Sequence, residues 1–132
     1  MASPRVPLLV ALAYALACPA SAVAVPSHAP WHARLVKSQP ATHDTLTTSP
    51  ASIKLWFSEP VEIAVSRIRL VGPSGAPIAL GNASHIANEG SAMMATVGRP
   101  LRPGTYWVRW TSAAQDGHAL KGEFSFVIAP GK

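Results

Sequence analysis

Asp116, Gly117 and His118 stand together near the C-terminus of this chain, a carboxylate and an imidazole two residues apart. On a turn, both donors can converge on one metal ion. Copper(II) favours a tetragonal set of nitrogen and oxygen ligands, which this pair offers once a second histidine joins it. His32, at the head of the first strand-like segment, is the candidate for that position. The same tripeptide also has an ordinary use. Asp-Gly between two strands is a common hairpin turn, because Gly tolerates positive φ and Asp bonds its own backbone. Spacing alone leaves both roles open, so the elements around the tripeptide matter.

Those elements read as strands. After His32 no segment shows a helical period; short runs of alternating apolar residues are separated by turn formers, the pattern of an antiparallel sandwich. Ile53, Leu55 and Phe57 share one face, with Lys54 and Trp56 on the other. Ile68 and Leu70 oppose Arg67 and Arg69, and Gly72-Pro73-Ser74-Gly75 ends that strand. Further strands are expected over residues 33–38, 77–80 and 92–97. Tyr106, Val108 and Trp110 then alternate with Trp107 and Arg109, and the last strand aligns Phe124, Phe126 and Ile128. The count of about seven suits an all-β, immunoglobulin-like sandwich. Tyr106, just after Pro103-Gly104-Thr105, fits a tyrosine corner, in which the hydroxyl bonds back to the upstream backbone. Residues 81–90 are polar and small, and are expected to form a loop.

The first part of the chain reads as an export signal. Arg5 gives a basic start, residues 6–17 are an apolar run broken only by Pro7, and Ala20-Ser21-Ala22 and Ala22-Val23-Ala24 fit the small-x-small cleavage pattern. That run is too short to span a bilayer comfortably, since about 20 apolar residues are needed. The expected organisation is a signal over 1–24 with cleavage near 22–27, a short lead over 25–31, and one domain over 32–129, exported and without stable membrane insertion. Cys18, the one cysteine, lies in the signal, so the mature domain has no disulfide. Ala15-Leu16-Ala17-Cys18 only faintly resembles a lipoprotein cleavage box. The formal charge of +5 becomes +4 without Arg5 and is spread along the chain. No basic cluster is interleaved with exposed aromatics, and Arg67, Arg69 and Arg109 read as solvated strand faces rather than a nucleic-acid surface.

Taken in order, the segment from His32 to Ala41, then Trp56-Phe57-Ser58-Glu59-Pro60, the run from Pro103 to Trp110, and Asp116-Gly117-His118 ahead of Gly122-Glu123-Phe124-Ser125-Phe126 closely resemble the copper-resistance protein C (CopC) family. The resemblance covers nearly the whole chain after the signal. It implies a small cupredoxin-like Greek-key β-sandwich in the periplasm with a copper(II) site at one end, acting as carrier or buffer in copper resistance and homeostasis rather than as an enzyme. The implied partners are the copper ion and an inner-membrane copper transporter of the CopD type. The implied ligands are His32, Asp116 and His118. Glu59, in the Phe-Ser-Glu motif, matches a family acidic residue near the copper, which implies a weak axial or outer group; a solvated charge beside Pro60 at a strand end is the alternative. Copper must displace protons from imidazole, so affinity is expected to fall below roughly pH 6.

Family members usually begin their mature chain at the first-strand histidine, whose free amine also binds copper. Here Pro30-Trp31 precedes His32 and makes a poor signal-peptidase site. Cleavage before Val23 or Val25 leaves His32 internal. Cleavage before His28, after Val25-Pro26-Ser27, gives a terminal histidine displaced by four residues, which would replace or supplement His32. Some members bind copper(I) through a Met-rich loop. Met93 and Met94 are adjacent, so on a strand they point to opposite faces and are expected to pack rather than bind. His43 and His85 match no family ligand.

Two other functions draw on the same residues. A copper oxygenase would use a similar pair of histidines, but Asp116 would occupy a coordination position that such chemistry keeps open. A metal-free adhesion sandwich would use Trp56 and Trp107 as an outward binding patch.

Overall fold

The computed structural model describes residues 34–113 and 117–131. Nine strands fill most of this span: β1 Leu35–Gln39, β2 Thr45–Leu46, β3 Ser52–Phe57, β4 Arg67–Val71, β5 Pro77–Ile78, β6 Ser84–Ile86, β7 Glu89–Thr96, β8 Gly104–Ala113 and β9 Ala119–Ile128. One 3-10 turn, Ile63–Val65, interrupts them, capped by the Glu62 side chain. Among the described residues no helix is long and apolar enough to cross a membrane.

The strands form two sheets. One has the order β1-β3-β7-β6 and the other β2-β9-β8-β4-β5; β4 with β5, β6 with β7 and β8 with β9 are consecutive in the chain, and the other neighbours are not. All pairings are antiparallel except β2 with β9, where Thr45 lies beside Val127. The expected all-β sandwich is therefore present. It has nine strands instead of about seven because two of them are too short or too exposed to show a period. Thr45 and Leu46 cannot display alternation in two residues. Ser84–Ile86 lies within the segment expected to be a loop; as an edge strand with mostly exposed side chains, it has no buried face to write into the sequence.

In β3 and β8 the sequence alternation follows burial. β3 alternates half-buried with buried residues, and β8 alternates exposed Thr105, Trp107 and Arg109 with buried Tyr106, Val108 and Trp110. The inner faces meet in a core where Ile53, Leu55, Leu70, Met93, Val108 and Phe126 are wholly shielded from water. Burying each such side chain contributes about 1.5–3 kcal/mol. Met93 lies in this core while Met94 points outward, as the strand period requires. The tyrosine corner is formed: the Tyr106 hydroxyl donates to the Arg102 carbonyl at 2.8 Å, and its ring stacks on Phe126.

Trp56 and Trp107 do not share a patch. They lie on β3 and β8, which belong to different sheets. Lys37 covers the Trp56 ring and Glu89 accepts its indole N–H, whereas Trp107 is 42% exposed.

Candidate metal centre

The β8–β9 hairpin carries the Asp-Gly-His tripeptide. Ten consecutive residue pairs hold it in one register, from Gly104 with Ile128 to Ala113 with Ala119. The connection runs from 114 to 118. Gly117 has φ +85, the left-handed conformation that glycine adopts without strain, so the turn role expected of this residue is present. His118 follows it, exposed, immediately before β9.

Backbone bonds bring three other segments to this end of the sandwich. The Glu62 N–H donates to the Ala113 carbonyl at 2.9 Å, tying the loop after β3 to the last residue of β8. Ser66, fully buried, reinforces the tie: its hydroxyl donates to the Glu62 carbonyl at 2.7 Å and accepts from the Ala113 N–H. Val61 N–H reaches the Gly90 carbonyl at the start of β7. The head of β1 joins through Ser58, whose N–H donates to the Arg34 carbonyl and whose hydroxyl accepts from the Arg34 N–H. Glu59 is the next residue, half-buried, in this same loop.

The expected site residues thus separate into two groups. His118 and Glu59 are at one end of the sandwich, together with Arg34, the first described residue of the β1 segment. His32, His28 and Asp116 lie outside the described residues. Among the described residues no three His, Cys, Asp or Glu side chains gather to hold an ion. His43 and His85 stand elsewhere. His43, at φ 61, contacts the Ser125 hydroxyl through Nδ1, well along β9 from the turn, and His85 Nδ1 lies 3.1 Å from the Ala92 carbonyl in the other sheet. Sequence patterns did not reveal Glu62 and Ser66 as the residues that fasten the Glu59 loop to the hairpin. A Ser followed by a strand carries no signal for such a bond.

Glycine has a second function in the hairpin. Gly122 faces Trp110 in register, and a Cβ at Gly122 would lie 2.5 Å from the indole ring. The bare backbone lets Trp110 lie across β9 and meet Phe57 edge-on, with ring centroids 5.2 Å apart. This contact packs the hairpin against the last residue of β3, one step before Ser58.

Comparison with known proteins agrees with this architecture. Residues 35–129 match the CopC domain family model. Protein YobA of Escherichia coli K12 is 34% identical over 118 residues, covering 89% of this chain and 94% of its own. Copper resistance protein C of Pseudomonas syringae pv. tomato is 32% identical and covers 74% of this chain and 80% of its own. The crystal structure of CopC from Methylosinus trichosporium OB3b superposes with a TM-score of 0.71 at 28% identity, covering 76% of this chain and 97% of that one. The family-model match over residues 35–129, on a two-sheet β-sandwich, defines the class. The chain belongs to the CopC family.

Proposed function

We propose that this protein binds copper(II) in the periplasm as a non-enzymatic carrier or buffer in copper resistance, delivering the ion to an inner-membrane transporter of the CopD type. The observation that carries the reading is His118, exposed on the β8–β9 turn of a CopC domain, at the same end as the β1 head and the Glu59 loop. His118 supplies one imidazole, with Asp116 and His32 or His28 completing a nitrogen and oxygen set suited to copper(II). Glu59 supplies a weak axial or hydrogen-bonding group. The export signal supports the compartment. The relatives' part in copper resistance supports the cargo.

Titration of the mature protein with copper(II), followed by electron paramagnetic resonance, tests this. A type-2 spectrum is expected, lost in His118→Ala. Unchanged binding in that variant overturns the assignment. The intact mass of the exported protein fixes the mature terminus and decides which of His28 and His32 stands beside a free amine.

A further inference from the structure

The outer face of the five-stranded sheet carries a charge arrangement that the copper reading does not use. Arg69 on β4 stands in register with Arg109 on β8, and Arg109 with Glu123 on β9. In the row nearer the hairpin turn, Arg67 faces Thr111, and Thr111 faces Lys121. The cations are exposed and line a groove of about 520 Å³. Glu123, paired with Arg109, is the one carboxylate among four cations there. Arg67 donates to the Ala64 and Ser66 carbonyls. Arg69 and Lys121 have neither an ion pair nor a side-chain hydrogen bond among the described residues. Like charges directly opposite each other on a sheet are destabilising, so this face holds a repulsion that an external anion would relieve.

We propose that this face docks an acidic surface of a protein partner. Trp107 lies on the same outward face of β8, two residues from Arg109 and in register with Val71 and Ser125. Arg and Trp are residue types enriched at the energetic centres of protein interfaces. The embedded Glu123 opposes a uniformly anionic surface and suits a partner of mixed charge with an acidic majority. The Arg67 and Lys121 row borders the β8–β9 turn, so a protein held here lies beside His118. The proposal stands independently of whether that turn holds copper.

The test uses the mature protein and a short peptide of Asp and Glu with a minority of interspersed Lys, with binding followed by amide and indole nuclear magnetic resonance shifts. Shifts are expected on Arg69, Arg109, Lys121 and the Trp107 indole, diminishing with added salt. Arg69→Glu with Lys121→Glu leaves the Arg109–Glu123 pair in place and should weaken binding about tenfold. Lys37→Glu with Lys54→Glu makes the same change in net charge on the other sheet and should leave the affinity nearly unaltered. Equal losses in both double variants mean attraction by net charge alone and overturn the proposal. So does no binding of the peptide, displacement of the peptide by inorganic phosphate at equal concentration, or tighter binding to phosphatidylglycerol vesicles through the same cations. If charge reversal disturbs folding, as judged by circular dichroism, Arg69→Gln with Lys121→Gln provides the same comparison with a smaller expected loss.

Discussion

Single residues at the hairpin set its shape as much as its chemistry. At Gly122 the indole of Trp110 occupies the space a side chain would fill. Gly122→Ala should therefore force the ring aside and cost about 1–3 kcal/mol, measurable by urea unfolding. Tyr106→Phe removes only the hydroxyl bond to Arg102 and should cost about 1 kcal/mol, with the ring stack on Phe126 retained. Both roles differ in how visibly they are written. Tyr106 after Pro-Gly-Thr announces its corner because that motif is local. Gly122 looks like any strand glycine until its partner across the hairpin is known. His118 is visible as a candidate because Asp-Gly fixes a turn, and a turn exposes the residue that follows.

At the scale of elements, strands with one buried face are legible in the sequence and edge strands are not. β3, β4 and β8 alternate because the core takes every second side chain, whereas β9 buries Phe124, Ser125 and Phe126 in succession. β2 and β6 add backbone pairing without a periodic face, so only the fold reveals them. The loop after β3 belongs with them: its position depends on Ser66 and Glu62 bonding to Ala113, contacts made across 47 and 51 residues. Ser66→Ala leaves the Glu62 carbonyl and the Ala113 N–H without that hydroxyl in a buried setting. It should cost about 1–3 kcal/mol by urea unfolding. It should also weaken copper(II) binding in the proposed site although no ligand is altered, as calorimetric titration would show.

For the whole molecule, family and sandwich class were legible because four motifs fall in order along the chain. The organisation of its surface was not. Arg67, Arg69 and Arg109 read singly as solvated positions, and only the pairing of β4 with β8 places Arg69 against Arg109. A ligand that binds the folded protein alone also stabilises it by mass action. Copper(II) at a hundredfold excess over its dissociation constant should add about 2.7 kcal/mol to the unfolding free energy, and His118→Ala should abolish the gain in a thermal melt.

The bonds from Val61 to Gly90 and from Glu62 to Ala113 have a consequence in time as well as space. β8 and β9 are neighbours in the chain and can zip together early. The loop that carries Glu59 must instead wait for segments distant in sequence, whose closure is slow. Pulsed hydrogen exchange during refolding should find the Trp110 and Gly122 amides, which face each other across the hairpin, protected before those of Val61 and Glu62. The nascent protein would then pass through a stage with its histidine-bearing turn already formed and the opposing wall still absent, one that can meet an ion but not yet hold it.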